Sequence, residues 1–299
     1  MHFFKLTEDL HRPFTTYLMA LALLCLAYLL GNLPLVVLFN SLDASSTSSG
    51  DIIQSIQLEF GRTVTLLVLL APWAFLCVSF SPITKYILKW PILYLFTTRQ
   101  KFNWKRFFVG FSIWFGMSSI LFIVQFNATI LWQFNWSTFL PLFFCSAFIL
   151  VLQCTAEELV FRSFLFKWMS QTQISVIVQI LLSGFIFGYL HSSNPEVEAL
   201  GKIALIYYIS TGVFLGLVAF LDRGIELTMG FHFANNFFAA IIVTSSWQVF
   251  QTDALFIDTS IPQFGLIEIL TSFGTQAIFF LICWKVYKWN LSSMRSRLS

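Results

Sequence analysis

The chain has 299 residues, of which 58% are hydrophobic and only 10% are charged, and its net charge is +3. Soluble domains usually carry about 25% charged residues, so this composition excludes a soluble globular domain. The small net charge also gives no strongly basic surface, so we exclude nucleic acid as a partner and expect a lipid bilayer instead.

Eight apolar runs in chain order are each long enough to cross a bilayer. They lie at residues 15–39, 63–81, 107–126, 139–168, 173–191, 202–221, 230–247 and 266–284. The first run lacks a small-residue cleavage site, which favours a retained helix over a cleaved signal peptide. We predict an all-α polytopic membrane helix bundle of about eight transmembrane helices, with residues 1–299 forming a single transmembrane domain.

The distribution of Lys and Arg predicts how these helices are oriented. If the N-terminus is cytoplasmic, the six basic residues of 84–106 and the basic C-terminal segment face the cytoplasm. The outer loops then receive only Arg62 and Lys202. We therefore predict that both the N- and C-termini are cytoplasmic. The mixture of basic and aromatic residues in 84–106 fits either an interfacial segment on an anionic leaflet or an ordinary cytoplasmic loop.

Ionisable side chains inside apolar spans are costly and are therefore functional candidates. They concentrate in three spans, in the sequences Glu157-Glu158-x-x-x-Arg162, Phe187-x-x-x-His191 and His232-x-x-x-Asn236. Residues four apart share one face of a helix, so Glu158 and Arg162 can neutralise each other. Glu157 points about 100° away and is left as a carboxylate that needs another partner.

Each of these features also has a purely structural explanation. A Glu–Arg pair within one helix can serve only to hold helices together. A lone membrane histidine, or Asn236 with its neighbour Asn235, can be an interhelical hydrogen bond. The joint occurrence of all these groups in the second half of the chain favours one shared site.

Two reactions fit these side chains. Glu157 and a histidine can deprotonate a water that attacks a carbonyl, while a second histidine and an amide donate to the oxyanion. This hydrolysis needs no cofactor. Alternatively, Glu157, His191 and His232 could bind a zinc ion whose water attacks. The spacing of the residues leaves both open.

The predicted spans place two of these residues at different depths. If the fourth and fifth helices turn near residue 171, Glu157 lies about 14 residues before the turn and His191 about 20 after it. At ~1.5 Å per residue this predicts a mismatch of roughly 10 Å. Tilted or broken helices would be needed to bring the two side chains together.

The three motifs resemble those of the CPBP family, which comprises CAAX proteases and bacteriocin-processing enzymes and includes the type II CAAX prenyl endopeptidases. The resemblance covers residues 139–247, the predicted core of the domain. It implies that Glu157 and His191 activate the water and that His232 and Asn236 form the oxyanion hole. It also implies supporting roles, which fall to Glu158, Arg162 and Phe187.

The resemblance implies an intramembrane endopeptidase that acts on a peptide or membrane-protein substrate, in a multi-pass protein of the bacterial inner membrane. Family members are commonly labelled metalloproteases, which keeps zinc as the alternative to a glutamate mechanism. A non-catalytic scaffold or bacteriocin-immunity protein of the same fold is the competing function. A transporter is less favoured, because no inverted repeat is recognisable.

Overall fold

A computed structural model describes residues 10–42, 52–172 and 174–289 of the chain. The described part is mainly helical, and six of its segments are long and apolar enough to cross a membrane. These segments are Phe14–Ser41, Arg62–Leu88, Trp104–Gln125, Trp136–Met169, Lys202–Asp222 and Leu266–Tyr287. The predicted all-α polytopic membrane bundle is confirmed. Residues 1–9 and 290–299, on which the prediction of cytoplasmic termini falls, lie outside the described residues.

The described ranges contain twelve α-helices. They are α1 Phe14–Leu30, α2 Leu33–Ser41, α3 Ile52–Phe60, α4 Arg62–Pro82, α5 Trp104–Gln125, α6 Trp136–Glu158, α7 Leu165–Met169, α8 Val176–Tyr189, α9 Pro195–Leu200, α10 Leu205–Asp222, α11 Glu226–Ile241 and α12 Leu266–Tyr287. Two π-helical turns, Ile83–Leu88 and Leu159–Phe164, extend α4 and α6. Short 3₁₀ turns occupy Ile92–Leu95 and Lys202–Ala204.

Two of the eight predicted spans are shorter than expected. α8 has 14 residues and α11 has 16, so each rises only about 21–24 Å against a hydrocarbon core of roughly 30 Å. The predicted span 230–247 is wrong at both ends, because α11 begins at Glu226 and ends at Ile241. α11 packs chiefly against α5 and α6 and is buried along most of its length. A helix enclosed by protein does not have to match the bilayer thickness.

Glycine permits the close helix crossings that position α8 and α11. A Cβ added at Gly110 of α5 would overlap the carbonyl of Leu227, and one added at Gly230 of α11 would overlap the carbonyl of Phe107. On α8, Gly184 and Gly188 face the backbone of α10 in the same way. Small residues four apart are a common means of bringing membrane helices into backbone contact.

A small sheet, which the all-α prediction did not include, lies between the loops at one end of the bundle. Its strand order is β1-β3-β2, with β1 at Ile130–Trp132, β2 at Val243–Ser245 and β3 at Phe256–Asp258. β3 runs antiparallel to β1 and parallel to β2. Strands of three residues are too short to show an alternating pattern in the sequence.

Ion pairs lie at both ends of the bundle. At one end Arg99 binds Asp222 and Glu226, and Arg106 binds Asp222 as well. At the other end Arg62 lies 3.4 Å from Asp253, next to the small sheet. The residues of the first set lie in or beside the predicted inner loops, and those of the second lie in or beside the predicted outer loops. Each of these ion pairs therefore joins residues on the same predicted side of the membrane.

Candidate active site

The fourth predicted span contains a change in helix type at the motif residues. α6 is α-helical up to Glu158 and continues as a π-helical turn from Leu159 to Phe164. Single π-helical turns occur frequently at functional sites. Glu157 and Glu158 are the last α-helical residues before this turn, and Arg162 lies within it.

Glu158 and Arg162 form an ion pair of 3.0 Å, and neither side chain is exposed to solvent. The Arg162 guanidinium also lies 4.2 Å from the ring centroid of Phe187. The Glu158 carboxylate accepts a second hydrogen bond of 3.0 Å from Nδ1 of His232 on α11. Because a carboxylate only accepts, Nδ1 carries a proton and Nε2 is the ring nitrogen that remains for other partners.

Glu157 faces a different set of side chains, as its position on the helix predicts. Gln153, one turn earlier, donates a hydrogen bond of 2.5 Å from Nε2 to Glu157 Oε1. The second carboxylate oxygen lies 3.5 Å from Nε2 of His232. The His232 ring therefore lies between the two carboxylates of α6, with one nitrogen directed at each.

His191 lies in the turn that follows α8. Its Nδ1 is 2.8 Å from the carbonyl oxygen of Phe187, which can only accept, so Nδ1 is the protonated nitrogen and Nε2 is free to accept. The imidazole stacks on Tyr208 with the ring centroids 4.4 Å apart and contacts Phe187 at 4.7 Å. These contacts hold His191 against α8 and α10.

The predicted difference in depth between Glu157 and His191 is smaller in the structure. α7 ends at Met169 and α8 begins only at Val176, so the connection consumes residues that the prediction assigned to a helix. Twelve helical steps then separate Glu157 from the turn and fifteen separate His191, a difference of about 4–5 Å. Both side chains border one cavity.

Asn236 belongs to a chain of hydrogen bonds that ends at Glu157. Its Nδ2 donates to Gln153 Oε1 at 3.0 Å, and its Oδ1 accepts from Asn235 at 3.1 Å. Asn235 Oδ1 accepts in turn from Trp114 Nε1 at 3.2 Å and from Tyr207 at 3.3 Å. The amides of α11 are thereby linked to the carboxylate of α6.

A cavity of about 500 Å³ connects these residues, which is within the range of clefts that enclose a ligand. Its lining includes Glu157, His191, His232 and Asn236. The lining continues through Tyr207 and Tyr208 to the loop 248–250. The cavity therefore extends from the motif residues toward the end of the bundle that holds the small sheet, opposite the basic loops.

The residues predicted to bind zinc were compared with what a zinc site requires. A catalytic zinc needs three protein ligands at about 2.0–2.2 Å from one point. Within residues 10–42, 52–172 and 174–289, no group of three His, Cys, Asp or Glu side chains could hold a metal ion. In this arrangement Glu157, His191 and His232 do not fit a zinc site. Zinc stays a prediction for metal analysis to test.

The part of the chain that contains the three motifs is similar to a known protein family. Residues 136–238 match the model of the type II CAAX prenyl endopeptidase Rce1-like family. This region is similar to the Rce1-like family. The match contains all three motifs, and the resemblance predicted from them is confirmed. The match and the apolar helices together support a multi-pass membrane protein.

One bacterial relative extends the similarity beyond the Rce1-like region. The chain is 30% identical over 170 residues to the uncharacterized protein YyaK of Bacillus subtilis (strain 168). The aligned residues cover 56% of this chain and 57% of YyaK, so the chain spans little more than half of its relative. No solved structure matches the chain.

Sequence reasoning missed several polar residues of the Rce1-like region and its surroundings. Gln153 is buried and contacts both Glu157 and Asn236. Its position four residues before Glu157 places it on the same helix face, which is a signal that the sequence contained. Tyr207 and Trp114 carried no such signal, because their hydrogen bonds to Asn235 connect different helices.

Proposed function

We propose that this protein is an intramembrane endopeptidase that hydrolyses a peptide bond of a membrane-associated substrate through a water activated by Glu157. The environment of Glu157 carries this proposal. One of its oxygens is held by Gln153 and the other faces His232. The carboxylate borders the same cavity as His191. A buried carboxylate with a fixed orientation is the form that a general base requires.

The proposed reaction starts from a water held between Glu157 and Nε2 of His191. Glu157 takes a proton from this water while the water oxygen bonds to the carbonyl carbon of the substrate. The tetrahedral intermediate then collapses, the C–N bond breaks, and the proton moves from Glu157 to the leaving amine. No covalent bond to the protein forms in this sequence.

The oxyanion of the intermediate needs hydrogen-bond donors, which we assign to His232 and Asn236. The Glu158 hydrogen bond to Nδ1 of His232 orients the ring so that Nε2 faces Glu157. In this proposal the ring is an imidazolium, so that Nε2 also carries a proton and donates it as a hydrogen bond to the oxyanion. Asn236 Nδ2 donates to Gln153 Oε1 and, at 3.6 Å, to Cys154 Sγ. A thiol sulfur is a weak acceptor, so the second N–H exchanges the sulfur for the oxyanion in this proposal. Glu158, Arg162 and Phe187 support these groups through the contacts described above.

The substrate is proposed to be a peptide or a membrane protein that reaches the cavity at the bilayer. We place the protein in the inner membrane of a bacterium, and the six long apolar helices among the described residues support a membrane location. The proposal includes no metal ion, since the reaction described above requires only side chains of this chain and a water.

Cleavage of membrane-anchored peptides by the purified protein in liposomes tests the proposal. Glu157→Gln keeps the size of the side chain but removes the base, so the rate should fall by roughly 10²–10⁴-fold. Glu59→Gln on the exposed face of α3 is the matched control and should cleave at the parental rate. Near-parental cleavage by Glu157→Gln would contradict the proposed mechanism. A folded parent that cleaves nothing would favour a scaffold or immunity function.

A further inference from the structure

The charged groups that line the cavity are unevenly distributed. Two carboxylates, Glu157 and Glu196, border it together with two histidines. Among the described residues, no Lys or Arg lines the cavity. Glu157 is used in the proposed reaction, whereas Glu196 lies in α9, near the loop 248–250. The proposed chemistry gives Glu196 no role.

The two carboxylate oxygens of Glu196 differ in their hydrogen bonding. Oε1 accepts a hydrogen bond of 2.8 Å from the backbone N–H of Val249. Oε2 is buried and has no hydrogen-bond partner among the described residues. Burial raises the pKa of this carboxyl, because the charged form loses its hydration. A cation placed beside Oε2 would supply the missing partner and stabilise the carboxylate.

Aromatic side chains extend from Glu196 to the proposed reaction centre. Tyr207 and Tyr208 line the same cavity, and both lie within electrostatic range of Glu196. Tyr208 stacks on His191 with the ring centroids 4.4 Å apart. The face of an aromatic ring attracts the cationic head of a Lys or Arg side chain. The aliphatic part of the same side chain packs against apolar surface. The wall between His191 and Glu196 is therefore suited to a long side chain that ends in a cation.

We propose that Glu196 is a specificity determinant that receives a Lys or Arg side chain of the substrate, close to the bond that is cut. The inference rests on the proposed endopeptidase function and names the chemistry of its substrate. A purely structural role is the competing explanation, because the Val249 contact alone also joins α9 to the loop 248–250. The two explanations differ in what charge reversal does.

The test uses a set of membrane-anchored peptides that differ at one position near the scissile bond, which carries Lys, Gln or Glu in turn. The parent should cleave the Lys peptide with a kcat/KM about 10–100-fold above that of the Gln peptide, as expected for a charge-assisted hydrogen bond. Glu196→Gln should abolish this preference and leave the Gln peptide unaffected. Glu196→Arg should prefer the Glu peptide.

Glu198 provides the matched control. It lies two residues away on α9, is exposed, and does not line the cavity. Glu198→Gln and Glu198→Arg change the protein charge by the same amounts and should retain the parental preference for Lys. An equal loss on all three peptides in Glu196→Gln, or an unchanged preference, would overturn the proposal and leave Glu196 a structural contact.

Binding separates this inference from the proposed function. The affinities of the Lys and Gln peptides are measured with Glu157→Gln, alone and combined with Glu196→Gln. If the Lys peptide binds more tightly than the Gln peptide and this difference depends on Glu196, the specificity site is supported. If the parent at the same time cleaves neither peptide, the proposed endopeptidase function alone is overturned. If neither the cleavage rate nor the affinity depends on the charge of the varied substrate residue, the Glu196 proposal alone is overturned.

Discussion

Gln153 lies one helical turn before Glu157 and donates a hydrogen bond of 2.5 Å to its carboxylate. The carbonyl oxygen of the same amide accepts from Asn236 on another helix. An uncharged amide can make both contacts because it is a donor and an acceptor at once. Gln153 therefore sets the distance between the predicted base on α6 and the predicted oxyanion donor on α11.

We expect Gln153→Leu to lower kcat by about 10–100-fold while KM changes little, because a buried hydrogen bond to a charged group is worth roughly 1.5–3 kcal/mol. The control is Gln179→Leu, which removes a buried amide outside the cavity lining; among the described residues its side chain donates to the Ile174 carbonyl. In a Glu157→Gln/Asn236→Ala background, where both partners of the amide are changed, Gln153→Leu should cause no further loss. Additive losses would contradict a positioning role.

Arg162→Ala should destabilise the protein by about 3–5 kcal/mol, because it leaves the Glu158 carboxylate buried without its cation. Thermal unfolding in detergent measures this change. The double variant Glu158→Gln/Arg162→Met removes both charges and should recover much of the stability. A melting temperature equal to that of the parent for Arg162→Ala would show that the pair does not contribute to stability.

His191→Ala should reduce the cleavage rate by roughly 10²–10⁴-fold, since the attacking water would lose its second partner. His191→Phe is an informative companion, because it keeps the ring that stacks on Tyr208 but removes both nitrogens. We expect it to restore stability without activity, as judged by unfolding temperature and peptide cleavage. Activity in His191→Phe would exclude a role for the imidazole in proton transfer or water binding.

Metal analysis addresses the prediction of zinc. Because Glu157, His191 and His232 are not grouped as metal ligands, we expect the purified protein to contain zinc well below one ion per chain. We also expect it to cleave substrate after treatment with a chelator. Stoichiometric zinc, with activity that is lost on chelation and restored by zinc, would establish the metal mechanism instead.

The orientation of the bundle is tested by reporter fusions at Lys101 and Asp253. The Lys/Arg distribution predicts that Lys101 is cytoplasmic and Asp253 is on the outer side. Arg62 lies 3.4 Å from Asp253 and serves as the internal control, because a reporter there must report the same side as Asp253. Reporters at Lys101 and Asp253 on one side of the membrane would contradict the predicted topology.

The sequence by itself determined the features that depend on local spacing and on the bilayer. Long apolar runs predict membrane helices because backbone polar groups must be paired inside lipid. Residues four apart, such as Glu158 and Arg162, meet on one face whatever surrounds the helix. The Rce1-like resemblance also followed from short motifs, each of which spans at most six residues of the chain. The catalytic roles of the motif residues stay predictions.

Contacts between helices were decided only by the tertiary structure. The ends of α11, the hydrogen bond from Asn236 to Gln153 and the contact between Glu196 and Val249 all depend on how helices cross and at what depth. Those crossings follow from backbone approaches such as that of Gly230 to Phe107. An apolar pattern predicts that a residue lies in lipid or in protein. It does not predict which helix the residue contacts, because every apolar face is compatible with many partners.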